Sequence, residues 1–277
     1  MDARVKPAHD EFGGMALRKV HWLQLTTEDF KGLDPEKTIA ILPIAAIEQH
    51  GPHLAVSTDT IIGQGMVDAV IARLPEDLSV LFLPVQSVGK SNEHIRSPGT
   101  ITYTAETAQR VWTEIGESVA RAGVRKMIIV TSHGGNVDTM RVVARELRVT
   151  CQMLVVTTGW RFGVPKGLFS DQEALHGIHA GDIETSLMLH LRPDLVRKDK
   201  VENFVPSSVR MENEFKFLRP TGLHGHAWIA QDIHPAGAAG DASLATAEKG
   251  RQWAEFQAER FIELLRDVEK FELSRLA

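Results

Sequence analysis

From Thr38 onward, short apolar runs alternate with longer amphipathic stretches. This alternation is typical of βα units built around a mostly parallel sheet, so the pattern predicts an α/β fold. In such sheets, ligands bind beyond the carboxyl ends of the strands. The predicted strands are 38–43, 78–84, 126–131 and 153–158, and the predicted helices are 60–74, 105–122, 138–149, 182–190 and 243–269.

Two segments depart from this alternation. Residues 1–16 are polar and contain Pro7, Gly13 and Gly14, so we expect a disordered leader outside the fold. Residues 197–241 have no clear period, which predicts long loops or a hairpin over the sheet edge. No repeat or linker-like composition interrupts the remainder, and residues 17–277 are therefore predicted to form a single domain.

Composition narrows the range of partners. The 277 residues include 31 Lys+Arg against 36 Asp+Glu, a net charge of -5, and no basic block marks a surface for nucleic acid or a membrane. No apolar run approaches the roughly 18 residues that span a bilayer. We therefore expect a cytoplasmic protein that acts on a small-molecule substrate and binds neither nucleic acid nor membrane.

The chain has 12 histidines and one cysteine, which constrains any metal site. A single thiol excludes a structural zinc site built from several Cys ligands, so a bound metal would be held by His and carboxylates. Cys151 itself is predicted to lie at the start of an apolar strand as a buried, inert thiol. A Ser-His-Asp hydrolase is disfavoured because no G-x-S-x-G motif follows a strand.

Polar side chains follow the first predicted strand in the segment IEQHGPHLAVSTDT at 47–60. Glu48 and His50 are separated by one residue, so in an extended segment they project to the same side and can bind adjacent metal ions. Asp59 is a short carboxylate that can bridge two cations. Taken alone, Asp59 is better explained as a helix N-cap; the density of the whole set favours metal binding.

Two further clusters carry candidate ligands. His133 follows strand 126–131 in SHGGN, where the glycines allow close approach of the backbone to a ligand. His179 and Glu184 lie in HAGDIETS at the start of a predicted helix. The combined set of Glu48, His50, Asp59, His133 and Glu184 offers mixed nitrogen and oxygen ligands, which suit Zn, Mn or Fe.

These motifs together resemble the creatininase (creatinine amidohydrolase) family. The resemblance runs from about residue 41 to 250 through EQHGPHL at 48–54, TDT at 58–60, SNEH at 91–94, PGT at 98–100, SHGGN at 132–136, HAG at 179–181, ETS at 184–186, GD at 240–241 and ATAEKG at 245–250. It implies a three-layer α/β/α fold, two divalent metal ions per chain, a homohexamer, and hydrolysis of an amide-type C-N bond.

The resemblance also assigns roles. Glu48, His50, Asp59 and His133 match family metal ligands, with Asp59 as the bridge; Glu184 matches a carboxylate at the metal site and His179 a histidine that handles protons. Creatininase itself has a glutamate where Gly135 stands, so the second metal relies on Glu184, on water, or is weakly held. Side chains predicted to contact substrate are His53, Ser91, Glu93, His94, Trp160 and Asn136. Trp160 matches one of two ring-clamping tryptophans; the other falls near Leu175.

The predicted reaction is attack of a metal-activated water on the carbonyl of a small, cyclic amide. Two catalytic residues, His179 and Glu184, are predicted to assist. His179, with an ordinary pKa near 6.5, donates a proton to the leaving nitrogen, and Glu184 ligates a metal or orients the water. The alternatives are a hydrolase that opens a polar ring ketone or lactone-like sugar derivative, and a non-catalytic metal- or ligand-binding homologue.

Overall fold

The computed structural model describes residues 18–277, and the leader predicted for 1–16 lies outside them. Four parallel strands form the central sheet in the order β2-β1-β3-β4. Their bounds are β1 Ile39–Ile44, β2 Val80–Phe82, β3 Lys126–Thr131 and β4 Leu154–Gly159. Every residue of β1, β2 and β3 is buried, which explains why these strands are continuous apolar runs without polar alternation.

Helices cover both faces of this sheet, and the alternation of side chains along each strand divides the core in two. Ile39, Ile41 and Ile128 pack on one face with α2, α6 and α9. Ala40 and Met127 pack on the other face with α3 and α4. The three-layer α/β/α fold is confirmed. The helices are α1 Thr27–Lys31, α2 Thr58–Ile71, α3 Ala105–Arg121, α4 Val137–Cys151, α5 Asp171–His176, α6 Asp182–Leu191, α7 Ser207–Glu214, α8 Ala230–Ile233 and α9 Ala247–Lys270.

The largest difference from the predicted helix bounds is at the start of the last helix. It begins at Ala247 because the Thr246 hydroxyl caps it by accepting from the Lys249 N–H at 3.2 Å. The prediction for Cys151 is wrong: it is the last residue of α4, and Gln152 in the left-handed region (φ 53°) then turns the chain toward β4.

The irregular segment 197–241 contains α7, α8 and two short antiparallel strands, β5 Asn203–Phe204 and β6 Gly240–Asp241.

Within the described part of the chain, helices are either too short or too polar to span a bilayer.

The start of α6 is held tightly against α9. Asp182, which is fully buried, accepts hydrogen bonds from Lys249 Nζ at 2.6 Å and from the Ser186 hydroxyl at 3.0 Å. A Cβ atom added at Gly250 would lie 2.0 Å from the Ser186 carbonyl oxygen, so only glycine permits this approach of the two helices. Because His179 and Glu184 flank this junction, it positions two of the predicted catalytic residues.

We expect Gly250→Ala to lower the free energy of unfolding by about 1–3 kcal/mol, because the clash is with backbone and the helices must separate. The gain in helix propensity from Ala, at most about 1 kcal/mol, does not offset it. Gly65→Ala in α2 is the matched control, since its Cβ would meet only the flexible Leu191 side chain. Urea unfolding measures both variants, and equal or higher stability of Gly250→Ala would contradict the close-packing argument.

Candidate metal centre

Four of the predicted ligands converge where β1 and β3 end. Glu48 and His50 lie in the segment after β1, Asp59 in the first turn of α2, and His133 directly after β3; all four are buried. His50 Nε2 is 3.4 Å from Asp59 Oδ1, whereas His133 Nδ1 is 3.5 Å from Asp59 Oδ2. The two oxygens of Asp59 therefore face different histidines, as expected of a carboxylate that bridges two cations.

The remaining members complete an overlapping cluster of nitrogen and oxygen atoms. His179 Nδ1 and His94 Nε2 lie 3.6 and 3.5 Å from Glu48 Oε1, and Glu184 Oε2 lies 3.8 Å from His50 Nε2. In the described part of the chain, three groups have ligand atoms within 4.8 Å of one another and can each surround a cation: Glu48, His94 and His179; His50, His179 and Glu184; and Glu48, His50 and Asp59.

Backbone carbonyls select the nitrogen that each ligand histidine turns toward the cluster. His50 Nδ1–H donates to the Glu48 carbonyl at 3.0 Å, and His133 Nε2–H donates to the Lys90 carbonyl at 3.0 Å. In the neutral form that binds metal, the other nitrogen of each ring is a lone pair that faces the carboxylates. Metal-binding histidines are held in this way, with the outer nitrogen donating to a carbonyl.

Gln49, between the two ligands of the first cluster, orients two more histidines. Its Oε1 accepts from the Gly51 N–H at 2.9 Å, and its Nε2 donates to the Gly237 carbonyl at 2.7 Å. The same Nε2 donates to His94 Nδ1 at 2.7 Å, so His94 carries its proton on Nε2, toward Glu48. The backbone carbonyl of Gln49 accepts a hydrogen bond from His179 Nε2 at 2.8 Å, which leaves His179 Nδ1 with a lone pair.

Burial and mutual charge shift the pKa values of these groups. Burial opposes ionisation of Glu48, but His133, His94 and His179 hold its pKa well below the usual range. Burial also disfavours the charged form of His50, yet Asp59 and Glu184 raise its pKa to about 10. Burial and the nearby Glu48 raise the pKa of Asp59 to about 7. Because ligands bind metal without their protons, metal binding must displace a proton from His50.

His179 behaves differently from His50. Burial, together with the positive charge of His50, lowers its pKa well below the ordinary histidine value. This direction differs from the ordinary pKa near 6.5 that the predicted role of His179 assumed. A neutral imidazole at rest cannot donate a proton until it has first accepted one.

The cluster fits a metal better than it fits a closed ion-pair network. His50 Nε2 and Asp59 Oδ2 are fully buried and have no hydrogen-bond partner among residues 18–277. Leaving one such atom unsatisfied costs about 1–3 kcal/mol. Cations among nitrogen and oxygen ligands would satisfy both atoms at once, so the donor set matches Zn, Mn or Fe.

Neighbouring atoms fill the space around Gly135, so there is no gap beside the cluster at this position. A Cβ atom there would lie 2.1 Å from Glu93 Oε1 and 2.4 Å from His133 Nε2. Glu93 pairs with Lys90 Nζ at 3.1 Å and lies 3.4 Å from His133 Nε2, on the side of that ring away from Asp59. Glu93 therefore supports the outer edge of His133, and no side chain at 135 fits without displacing both.

Strained backbone places His179 and Glu184. Ala180 adopts the left-handed region (φ 53°), which an L-residue other than Asn or Asp rarely occupies. Its N–H donates to Glu184 Oε2 at 2.5 Å, and the anionic side chain lies in the first turn of α6, where the helix dipole favours it. Such strain persists where surrounding contacts enforce it, and it is common at functional sites.

Of the six side chains predicted to contact substrate, Trp160 lines the cavity of about 260 Å³ that opens beside His133, His179 and Glu184. The other five are not among the residues that line it, and each has a hydrogen-bond or ion-pair partner. Ser91 Oγ donates to Glu48 Oε2. His53 is hydrogen-bonded to Thr185 Oγ1 at 2.9 Å and stacked on Phe204.

Asn136 is the clearest departure from the predicted set. It is fully buried, its Nδ2 donates to the Ala45 carbonyl at 3.0 Å, and its Oδ1 accepts from the Lys90 N–H at 2.9 Å. It joins the ends of β1 and β3 to the loop that supplies His94, and it has no polar atom left for a substrate.

Sequence reasoning missed Gln49 and Glu173. Gln49 lay within the quoted motif, and its position between two ligands was a usable signal. No signal in the sequence pointed to Glu173. Its buried carboxylate accepts hydrogen bonds from the Ile183 and Asp241 N–H groups, each at 3.2 Å. Gly177, Gly181 and Gly240 pack directly against that carboxylate. Residues distant along the chain create this contact.

Two named proteins are similar in sequence to this chain. The chain is 33% identical over 221 residues to the mycofactocin precursor peptide peptidase of Mycobacterium tuberculosis, covering 76% of this chain and 78% of that protein. It is 30% identical over 187 residues to the creatinine amidohydrolase of Pseudomonas putida, covering 61% and 70%.

Solved creatininase structures share the fold. One, a glutamate-to-glutamine mutant described as Zn-Zn type, has a TM-score of 0.72 at 24% identity, covering 92% of this chain and 100% of that one. Another, described as creatininase Mn, has a TM-score of 0.71 at 23% identity with coverage of 92% and 100%. The family model described as creatinine amidohydrolase matches residues 23–265, and the chain therefore belongs to the creatininase family of hydrolases.

Proposed function

We propose that this protein hydrolyses the C-N bond of a small amide with the help of two divalent metal ions. The observation that carries the proposal is the pair of unpartnered buried atoms, His50 Nε2 and Asp59 Oδ2, in a nitrogen and oxygen cluster beside an open cavity. Solved creatininases described as Zn-Zn type and as Mn support Zn or Mn as the ions.

We assign the ligands by the atoms that face one another. Asp59 would bridge the ions, with His50 on the side of one oxygen and His133 on the side of the other. Glu48 faces both sides of the cluster through its two oxygens. Gly135 has no side chain to bind a metal, so Glu184 would supply the carboxylate instead. Glu184 Oε2 lies near His50, and Glu184 forms one of the candidate metal-binding groups together with His50 and His179.

When bound, the metals polarise the substrate carbonyl and lower the pKa of water from 15.7 toward about 7. The residues of the chain move the proton. His179 is neutral at rest, so its Nδ1 lone pair accepts the proton of the attacking water and then delivers it to the leaving nitrogen. The hydrogen bond from Nε2 to the Gln49 carbonyl holds the ring in the tautomer that this transfer requires.

A linear peptide is a second candidate substrate. It is favoured by the mycobacterial relative, a peptide peptidase that is 33% identical to this chain over 221 residues. The chemistry at the metal centre is the same for a cyclic amide and a peptide bond, so the two candidates differ only in what surrounds the scissile bond.

Chelation tests the function directly. We expect metal-free protein to lose hydrolysis of a panel of cyclic amides and dipeptides, and Zn or Mn to restore it at two ions per chain by elemental analysis. His50→Gln should lose both metal and activity, whereas His190→Gln, exposed at the end of α6, should retain them. Full activity without metal would refute the mechanism, and two bound ions without any turnover would favour the non-catalytic alternative.

Gly135→Ala should weaken metal binding by about tenfold to a hundredfold, the usual effect of disturbing the support of a metal ligand. The added Cβ displaces Glu93 and the His133 ring together. Gly134→Ala is the matched control because a Cβ there meets nothing within 4 Å. Titration with Zn under competition from a chelator measures both; unchanged affinity in Gly135→Ala would show that Gly135 is a tolerant position.

His179→Gln should lower kcat by about a hundredfold or more while both metals stay bound, because it removes the proton carrier. His94→Gln is the comparison: His94 donates toward Glu48, so its loss should weaken metal binding more than it lowers kcat in metal-saturated protein. Loss of a metal ion from His179→Gln would instead make His179 a ligand and exclude it as the proton carrier.

A further inference from the structure

The cavity beside the metal centre is apolar along most of its wall. Trp160, Trp253, Ile62, Val137 and Leu187 line it, and His133, His179 and Glu184 form its metal side. Its volume of about 260 Å³ is below the roughly 300 Å³ at which sites for drug-sized ligands begin, so it accommodates one small apolar group. A substrate whose carbonyl is at the metals would place such a group against the two tryptophans.

One cation lines the same cavity. Arg161 follows Trp160 directly, its side chain is exposed, and its only hydrogen bond among the described residues is a long one of 3.4 Å to the Ala174 carbonyl. Lys90, on the other side of His133, is already paired with Glu93 at 3.1 Å. Arg161 is in no ion pair with any carboxylate of residues 18–277, so its charge is available to a ligand.

The two carboxylates that line the cavity do not compete for Arg161. Glu173 is buried and accepts hydrogen bonds from the Ile183 and Asp241 N–H groups. Glu184 accepts from the Ala180 N–H and faces His50. Gly134 and Val137 also bring the start of α4 to the cavity, and the positive end of this 15-residue helix favours an anion.

We propose that the substrate carries a carboxylate in addition to its amide and apolar group, and that Arg161 recognises this carboxylate. A guanidinium binds a carboxylate through two parallel hydrogen bonds, which selects it over a neutral group of the same shape. The inference rests on the proposed amide hydrolysis for the position of the scissile bond. It makes Arg161 a specificity-determining residue, with the metals at one end of the substrate and the cation at the other.

A pair of ligands of equal shape tests the proposal: 3-phenylpropanoate and the neutral methyl ketone 4-phenylbutan-2-one, which has no C-N bond to hydrolyse, titrated calorimetrically into Zn-loaded protein. The wild-type protein should bind the carboxylate about tenfold to a hundredfold more tightly, the factor expected of a charge-assisted hydrogen bond. Arg161→Gln should abolish this preference, and Arg161→Lys should retain part of it. Arg145→Gln, an exposed arginine of α4 on the other face of the sheet, should behave as wild type.

Three results would overturn the proposal: no preference in the wild type, no binding of either ligand at millimolar concentration, or an unchanged preference in Arg161→Gln. In the last case the metals, not Arg161, hold the carboxylate. Because these measurements need no turnover, failure here is separate from failure of amide hydrolysis, which the chelation experiment reports.

Discussion

Buried carboxylates at the end of a parallel sheet are the constraint on which the site depends. Glu48 and Asp59 are almost completely removed from water, and no Lys or Arg of the described residues compensates either one; histidines surround them instead. Burial of uncompensated charge is expensive, so such a cluster persists only with cations, protonated imidazoles or both. The same excess of negative charge, from Asp59, Glu184 and Glu48, raises the pKa of His50 to about 10.

The surrounding structure keeps these groups in place before any ion binds. Carbonyls of Glu48, Lys90 and Gln49 each accept a histidine N–H, and the Ser91 hydroxyl donates to Glu48. Preorganisation of this kind reduces the cost of ordering ligands when metal binds, and it orients each lone pair toward the centre. The left-handed Ala180 and the close approach of Gly250 to α6 extend the same rigidity to His179 and Glu184.

The substitution of glycine at 135 illustrates how one position changes its neighbours. A glutamate there would bring a carboxylate from the loop after β3. Here Glu93 from a different loop fills that volume and supports His133, while Glu184 approaches from α6. The homohexameric assembly and the cytoplasmic location remain predictions from the sequence.

The amino-acid sequence alone determined the βα order, four strands, the main helices and the residues of the candidate ligand set. These depend on local periodicity and on residue types that are close together along the chain, such as Glu48 and His50. It did not determine which nitrogen of each histidine faces the centre, that Asn136 joins loops, or that Arg161 lines the cavity. Those features arise where residues far apart in sequence meet, as Gln49 does with Gly237 across 188 positions, and only tertiary packing brings such groups together.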